Sequence, residues 1–333
     1  MIRLLTSYRS PSATTNPYIV QLDRALRNEP GLAVQNFSFA RALLGRYDVF
    51  HVHWPETLFN ARSRFRRTLK QLAMALLLLR LDLTRTAVVF TAHNLGNHEK
   101  LDPLGARLVE ALRGRAVLHI RLNGADAAGV PEPSEVILHG HYRDWYLRHP
   151  QGPAEPGHVV FFGLVRPYKG VEELVAAFRD VVTPGARLTV AGRPLDEQTR
   201  SLLEGLAAGD PRVRLDLRFL DEPDLVALVS SAELVALPYR EMYNSGSLLA
   251  ALSLDRPVLV PRSAVNELVE REVGPGWVNL YDGPISAALI DEALGRLRSA
   301  PPPTRPDLRS REWAVTGARH LAAYRRARDL RAR

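Results

Sequence analysis

Hydrophobic residues along this chain gather in short, nearly unbroken runs that alternate with longer stretches of helical periodicity. In the first half, such runs predict strands at 2–7, 33–39, 47–54, 86–93, 116–123 and 135–140. Helical patterns lie between them at 17–28, 62–83 and 102–113. Strands that are apolar nearly throughout and separated by helices indicate a parallel sheet covered on both faces.

The same alternation begins again in the second half. Its predicted strands are 158–163, 186–192, 213–219, 233–239 and 257–261, and its predicted helices are 171–182, 195–207, 222–231 and 247–254. Residues 149–157, "HPQGPAEPG", carry no periodicity and are rich in Pro and Gly, which is typical of a linker between domains.

The pattern therefore predicts an α/β protein with two Rossmann-like, doubly wound domains facing a cleft. The domains are 1–148 and 158–307, and an Arg-rich amphipathic helix at 308–333 is expected to pack back toward the first. Ligands of such sheets bind outside the carboxyl ends of the strands, so the site is expected in the cleft.

Composition narrows the class of protein. A length of 333 residues fits two domains. The absence of cysteine excludes disulfides and thiolate sites. The net charge of +8 is typical either of an anionic partner or of a soluble protein from an arginine-rich proteome. No nucleic-acid-binding motif is present, so we expect no nucleic acid partner. The N-terminus, "MIRLLTSYRS", lacks the pattern of a signal peptide, which favours a cytoplasmic protein.

The first strand of the second domain leads into "FFGLVRPYKGVEELVAAF". Gly163 allows close backbone approach, and Arg166 and Lys169 bring two cations to the strand end. Cations beside the start of a helix are what a diphosphate needs. A solvated loop with incidental charges is the alternative, but a second glycine turn, "VAGRP" at 190–194, follows the next strand.

A third turn of this kind lies in "REMYNSGSLLAALSLDRPV", residues 240–258. Its small polar residues Asn244, Ser245, Gly246 and Ser247 stand between a predicted strand and an apolar helix. The unpaired N–H groups of such a turn and the helix dipole both favour an anion.

Taken in order, "FFGLVRPYKGVEEL", "LTVAGRP" and "LPYREMYNSGSLLAALSLDRPVLVP" resemble the nucleotide-sugar half of GT-B glycosyltransferases, of the family 4 type. In the first domain, "DVFHVHWPE", "VVFTAHNLGNHE" and "VILHGHYRDWY" resemble bacterial transferases that build exopolysaccharides and glycolipids, β-mannosyltransferases among them. The resemblance implies a nucleoside diphosphate sugar as co-substrate, with GDP-mannose as the expected donor. It also implies a glycolipid or saccharide acceptor at the inner face of the cell membrane.

The resemblance also assigns roles within the donor domain. Arg166 and Lys169 match the residues that grip the diphosphate. In retaining families, one Glu faces the donor sugar and a second binds the ribose. Glu241 stands one residue out of register with the first, and the second falls on Ala250. The residues expected to compensate are Asn244, Ser245, Gly246 and Ser247, and those expected to contact the base are Arg218, Phe219 and Leu220.

Ala250 cannot hydrogen-bond a ribose, which favours inversion over retention. An inverting transfer needs a general base for the acceptor hydroxyl. Candidates that follow strands of the first domain are Glu56 and His93, which lead, and Glu99. The histidines expected at the acceptor or in the cleft are His53, His98, His139 and His141. Histidines and carboxylates can also bind a metal, but no recognisable ligand spacing is present, so no metal and no other cofactor is expected.

Residues 62–83 allow two interpretations. Five cations, Arg62, Arg64, Arg66, Arg67 and Lys70, precede the apolar run "LAMALLLL". This run of eight residues is too short to span a bilayer, which takes ~20 residues. The segment is either a helix lying on an anionic membrane surface or a core helix with a charged rim.

The sequence thus predicts a metal-independent, inverting glycosyltransferase. Two alternatives remain. The chain could be another nucleotide-sugar enzyme on the same scaffold, such as an epimerase or a retaining transferase. It could also be a sugar-nucleotide-binding protein with a decayed catalytic site, which Ala250 alone favours.

Overall fold

The computed structural model describes residues 1–12, 14–59, 63–93, 101–125, 130–240, 244 and 246–332. The chain forms two compact units, Met1–Gly140 with Ser310–Arg333 and His141–Arg309. The units meet in the sequence at 140/141, ahead of the segment 149–157 that the sequence predicts as linker. The reason is that residues after His141 already pack in the second unit, where the Tyr142 backbone N–H donates to Ser253 Oγ at 2.9 Å.

The first unit is built on a six-stranded sheet in which all neighbouring strands are parallel. Its strands are β1 (Ile2–Thr6), β2 (Leu32–Gln35), β3 (Val49–Val52), β4 (Ala87–Ala92), β5 (Ala116–Arg121) and β6 (Ser134–Val136). Its helices before residue 140 are α1 (Pro17–Arg27), α2 (Phe39–Leu44), α3 (Arg64–Leu83) and α4 (Pro103–Arg113). The strand order is β2-β1-β3-β4-β5-β6, so the direction of winding reverses between β1 and β3.

The second unit repeats this design. Its strands are β7 (His158–Phe162), β8 (Arg187–Ala191), β9 (Val213–Asp216), β10 (Leu234–Ala236), β11 (Val258–Pro261) and β12 (Val278–Tyr281). Its helices are α5 (Arg143–Tyr146), α6 (Val171–Phe178), α7 (Glu197–Ala207), α8 (Glu222–Ser230), α9 (Gly246–Ser253), α10 (Ala264–Val273) and α11 (Ala287–Ser299). The parallel order β12-β11-β10-β7-β8-β9 is that of dinucleotide-binding folds and reverses between β7 and β10.

The last helix, α12 (Trp313–Ala332), returns to the first unit and packs on α1, β3, β4 and β5. This confirms the predicted α/β architecture and the predicted return of the C-terminal helix. Its inner face combines small and polar residues, and the Tyr324 hydroxyl lies 2.7 Å from His51 Nδ1. At Gly317 a Cβ would lie 3.0 Å from the carbonyl oxygen of Ala25, so the two helices approach closely there.

Helix α3 has two apolar faces. One face, with Met74, Leu77 and Leu81, is buried in the core of the first unit. The other face carries a row of apolar residues spaced three or four apart and 56–79% exposed, here called the α3 stripe: Phe65, Leu69, Leu72, Leu76, Leu79 and Leu83. Among the helices in the described part of the chain, none combines the length and the hydrophobicity needed to cross a membrane. The helix is therefore a core helix on one side and an exposed apolar surface on the other.

Candidate active site

In the second unit, the sheet reverses between β7 and β10, and the predicted donor residues follow these two strands. Gly163 comes directly after β7 and has a φ of 109°, a conformation that glycine adopts without strain. A Cβ at this position would lie 3.4 Å from Lys169 Nζ and 3.6 Å from Ser247 Oγ. The structure thus brings Gly163, Lys169 and Ser247 together, from two loops that are distant in sequence.

The turn after β8 supports this arrangement. Gly192 has a φ of 144°, and a Cβ there would lie 1.9 Å from the Gly163 carbonyl oxygen. The two turns therefore pack backbone against backbone, and the Gly163 N–H donates to the Ala191 carbonyl at 2.9 Å. The predicted glycine turn at 190–194 has a structural role: it fixes the position of Gly163.

Lys169 is only 8% exposed and makes no ion pair with any described residue. Its Nζ lies 4.9 Å from the centroid of the Tyr239 ring. Burial lowers the pKa of Lys169, and the charge of Arg166 lowers it further, although Tyr168 acts in the opposite direction. The half-buried Arg166 donates to the Val165 carbonyl at 2.7 Å. Two cations that form no ion pair with a described carboxylate thus lie close together, which favours binding of a polyanion.

The starts of α6 and α9 differ in charge. Glu172 and Glu173 occupy the first turn of α6, and both pair with Arg240, at 2.6 and 2.9 Å. The first turn of α9 carries no acidic residue. Because carboxylates already occupy the positive end of α6, the start of α9 is the helix end suited to an anionic ligand.

Tyr142 also reaches the start of α9, a contact that the sequence analysis missed. A Cβ at Gly246 would lie 3.5 Å from the Tyr142 hydroxyl oxygen. Burial raises the pKa of Tyr142, so its hydroxyl keeps its proton at neutral pH and can donate a hydrogen bond. Asn244 is half-buried and lies two residues before the helix. The predicted residues Glu241 and Ser245 lie outside the described residues.

Two other predictions concern the edges of the donor site. Ala250 is buried in α9 and belongs to the core of the second unit. Arg218, after the edge strand β9, pairs with Asp216 at 3.0 Å and Asp224 at 2.6 Å. Its guanidinium is therefore occupied, whereas Phe219 is exposed and Leu220 is half-buried. Of the three residues predicted to contact the base, Phe219 offers an accessible ring for stacking.

In the first unit, the ends of β1 and β3 meet at the reversal of the sheet, and Ser7 joins them. Its Oγ donates to the His53 carbonyl at 2.9 Å and accepts from the His53 N–H at 2.7 Å. His53 Nδ1 lies 2.9 Å from His93 Nε2, so the histidines that follow β3 and β4 are hydrogen-bonded to each other. The structure thus brings two of the predicted histidines into one cluster.

Aromatic rings surround this pair. Trp54 stacks on His93 with centroids 3.7 Å apart, and its φ of 42° is uncommon for a residue with a side chain. Tyr18 packs edge-on against His93 and lies 4.4 Å from His139, centroid to centroid. His141 belongs to the second unit. A strained residue held by stacking is typical of functional sites.

These histidines are neutral. Burial lowers the pKa of His53 to about 3 and that of His139 to about 4. Burial also holds the pKa values of His51 and His93 well below the ordinary value, and nearby histidines add to the effect. A group with so low a proton affinity is a weak general base, so His93 is better suited to hydrogen bonding than to proton abstraction.

Glu56 lies in the short 3₁₀ helix Pro55–Phe59 that follows β3. It is 7% exposed, and in the described structure its carboxylate makes no hydrogen bond or ion pair. Its carboxylate oxygens are not among the buried atoms left without a partner, so they keep access to solvent or to a ligand. His98 and Glu99 lie outside the described residues. Within the described ranges, no three His, Asp or Glu side chains come together as a metal site would require.

The similarities to known proteins agree with this geometry. Residues 156–294 match the family model described as glycosyl transferases group 1. Over 325 residues, the chain is 45% identical to a Xanthomonas campestris pv. campestris protein named GDP-mannose:glycolipid 4-beta-D-mannosyltransferase. That match covers 97% of this chain and 92% of the relative.

Solved structures show the same fold. The Anabaena Alr3699/HepE complex with UDP and glucose has a TM-score of 0.60 at 16% identity, covering 100% of this chain and 98% of that one. The catalytic domain of starch synthase IV from Arabidopsis thaliana, bound to ADP and acarbose, has a TM-score of 0.64 at 11% identity, covering 98% and 99%. The relative and these solved structures show that the chain belongs to the GT-B glycosyltransferases, in the family of the Xanthomonas GDP-mannose:glycolipid 4-beta-D-mannosyltransferase.

Proposed function

We propose that this glycosyltransferase moves mannose from GDP-mannose to a glycolipid with inversion and without a metal ion. The observation that carries the proposal is the 45% identity, over 97% of the chain, to a relative whose name states this donor, acceptor class and β linkage. Mannose is α-linked in its nucleotide donor, so a β-linked product requires inversion.

The second unit would hold the donor. Arg166, Lys169 and the start of α9 offer positive charge to the diphosphate, and Gly163 leaves room for it beside Lys169 Nζ and Ser247 Oγ. As the bond between C1 of mannose and the β-phosphate oxygen breaks, negative charge develops on GDP. Preorganised cations and N–H dipoles stabilise this charge where other transferases use a metal.

The first unit would hold the acceptor and the base. The acceptor hydroxyl attacks C1 of mannose, and its proton passes to the carboxylate of Glu56. Glu56 suits this role because it pairs with no other described residue and follows β3, next to the reversal point of the sheet. His93, held by Trp54 and His53, would position the acceptor through its neutral ring.

The test is to incubate the protein with GDP-mannose and a mannosyl-acceptor glycolipid and to determine the anomeric configuration of the product by NMR. We expect a β-linked mannose. Glu56→Gln should lower turnover by about 10²–10⁴-fold with GDP affinity nearly unchanged, and Glu56→Asp should recover part of it. His93→Ala should also lower turnover.

Three outcomes would contradict parts of this proposal. An α-linked product would establish retention. A free epimerised sugar would indicate another nucleotide-sugar enzyme, and GDP-mannose binding without turnover across a set of acceptors would indicate a decayed site. Full activity of Glu56→Gln would leave inversion standing but remove Glu56 as the base.

We also propose that the α3 stripe lies on the membrane that carries the acceptor. Six apolar residues 56–79% exposed along one helix are unusual for a surface that faces water, and basic residues of the same helix suit anionic headgroups. Replacing Leu72, Leu76 and Leu79 with Gln should release the protein from anionic vesicles, because burying a leucine contributes about 1.5–3 kcal/mol.

The matched control replaces three exposed leucines elsewhere, Leu44, Leu104 and Leu195, with Gln. Replacing Arg64, Arg66 and Arg67 with Gln, or adding salt, should also weaken binding to anionic vesicles. Co-sedimentation that responds equally to the stripe and control variants would show that the stripe does not contact the membrane.

A further inference from the structure

A pocket lies in the first unit at the amino ends of its strands, opposite to the cluster of His53 and His93 at the carboxyl ends. It has a volume of about 540 Å³ and is lined by Asp48 and Ala87, at the amino ends of β3 and β4, and by residues of α3 and α12. Six arginines take part in this lining, which is here called the arginine pocket: Arg3, Arg46, Arg80, Arg85, Arg328 and Arg331. None of the roles proposed above involves this edge of the sheet.

Acidic residues do not balance these arginines. The lining contains two carboxylates, Asp48 and Asp329. Arg3 already engages Asp48, with its guanidinium nitrogen 2.7 Å from one carboxylate oxygen. A guanidinium nitrogen of Arg331 lies 3.7 Å from a carboxylate oxygen of Asp82, which is a long distance for an ion pair.

The remaining cations have little acidic compensation among the described residues, although Arg328 lies near enough to Asp48 to contribute to lowering the pKa of that carboxyl. In the described part of the chain, Arg46, Arg85 and Arg328 make no ion pair. The pocket therefore has a strong excess of positive charge in a concave surface, and such a surface concentrates anions.

Two guanidinium groups in the pocket also have N–H donors without a hydrogen-bond partner among the described residues. Arg80 donates through one nitrogen to the Gly45 carbonyl, and its guanidinium lies 4.4 Å from the centroid of the Tyr47 ring. Its other terminal nitrogen, and Nε of Arg331, are buried and have no hydrogen-bond partner in the described structure. Buried donors without acceptors are uncommon in native proteins, so a ligand with oxygen acceptors would complete this site.

Arg85 adds an independent observation. It follows α3 with a φ of 48°, in the left-handed conformation that usually falls to glycine after a helix. A residue with a side chain is disfavoured there, and yet this one carries an arginine whose side chain lines the pocket. Backbone strain of this kind is tolerated where a residue has a function.

From these observations we infer that the arginine pocket binds a phosphate ester or a diphosphate. Guanidinium groups bind phosphate oxygens in a bidentate manner, and several of them around one pocket are typical of phosphate recognition. The volume fits a small ligand or a headgroup, since ligand pockets measure about 300–1,000 Å³.

The phosphate can come from two sources. One is a soluble phosphate compound. The other is a lipid headgroup, because Leu79 and Leu83 of the α3 stripe neighbour Arg80 and Thr84, which line the pocket. Acyl chains along the stripe would place a headgroup at the end of α3.

The soluble source is tested by calorimetry with inorganic pyrophosphate, in a protein carrying Arg166→Ala and Lys169→Ala so that the donor site contributes little. The pocket variant combines Arg46→Gln, Arg85→Gly and Arg328→Gln. Its matched control replaces three exposed arginines outside the pocket, Arg107, Arg214 and Arg271, with Gln, and thus has the same net charge. Pyrophosphate should bind the pocket variant at least about tenfold more weakly than the control.

Arg85→Gly alone separates binding from folding. Because glycine is favoured at a φ of 48°, this variant should melt at the same temperature or higher while it binds pyrophosphate more weakly. Weaker binding together with intact folding supports the site even if the triple variant folds poorly.

The lipid source is tested by co-sedimentation with phosphatidylcholine vesicles with and without phosphatidic acid. If the pocket variant binds more weakly than the control only to vesicles with phosphatidic acid, the ligand is a lipid headgroup. If it binds more weakly only to pyrophosphate, the ligand is a soluble phosphate compound. Equal binding by the pocket and control variants in both arms would overturn the inference.

Discussion

Replacing Lys169 with Met should change ligand-free stability and donor affinity in opposite directions. Met keeps the length of the side chain and removes its charge. In the ligand-free protein Lys169 is 8% exposed, and within the described residues no carboxylate pairs with it, so burial of its charge costs free energy. Lys169→Met should therefore raise the melting temperature of the ligand-free protein.

Affinity for GDP should fall because Met cannot form a charge-assisted hydrogen bond with the diphosphate. A hydrogen bond to a charged group contributes about 1.5–3 kcal/mol. The Coulomb energy of two charges about 4 Å apart at an effective dielectric constant of ~20 is about 4 kcal/mol, which sets an upper limit. Since each 1.4 kcal/mol corresponds to about tenfold in affinity, we expect the dissociation constant for GDP to rise by about 10–100-fold.

Two measurements on the same samples check this prediction. Calorimetry gives the dissociation constant for GDP, and thermal melting with and without GDP gives the stabilisation by ligand, which is about 2.7 kcal/mol at a ligand concentration of 100 times the dissociation constant. Lys70→Met, on α3 in the first unit, is the matched control. A lower melting temperature of Lys169→Met with unchanged GDP affinity would show that Lys169 stabilises the fold and does not bind the donor.

Three further predictions follow from the structure. GDP binding and turnover should survive EDTA, because Arg166 and Lys169 supply the charge at the diphosphate; activity that is lost with chelator and restored by magnesium would contradict this. Gly192→Ala should unfold the second unit or abolish GDP binding, because its Cβ would lie 1.9 Å from the Gly163 carbonyl oxygen; near-native melting with GDP affinity intact would contradict it. Burial lowers the pKa of His53 to about 3 and that of His320 to about 4, so the unfolded chain takes up these protons first on acidification. The free energy of unfolding should therefore decrease as the pH is lowered from about 6.5, by up to about 1.4 kcal/mol per pH unit for each histidine. Urea denaturation that gives equal stability at pH 7 and pH 5 would refute this.

Features formed by residues that are close together in the sequence could be predicted from the sequence. The donor turn is one example, since Gly163, Arg166 and Lys169 lie within seven residues of one another and follow a strand with a clear apolar run. Most strands of both sheets have runs of the same kind. The elements that the pattern does not predict are not all short: β12, α2 and α5 have four, six and four residues, but α10 and α11 have ten and 13.

Contacts between distant residues could not be predicted. Ser7 joins His53 across 46 positions, and Tyr142 joins Ser253 across 111. Pro and Gly at 149–157 suggest a boundary in the sequence, whereas the packing of Tyr142 on Ser253, which places the division of the compact units at 140/141, leaves no sign in the sequence. No pattern in one segment indicates that Glu56 is 7% exposed and pairs with no other described residue. The roles of Glu99, His98, Glu241 and Ser245, outside the described residues, stay predictions.

The return of α12 to the first unit makes the second unit an insertion within the first. During synthesis, β1 to β6 leave the ribosome before the second unit, but the helix that covers β3, β4 and β5 is translated after it. His51 has its Tyr324 partner only once 273 further residues have been made. Residues 141–309 are contiguous, so the second unit can complete its core during synthesis while the sheet of the first unit is still uncovered by α12. The nascent first unit therefore exposes one face of its sheet until α12 is made, and a premature stop before α12 would leave that face uncovered.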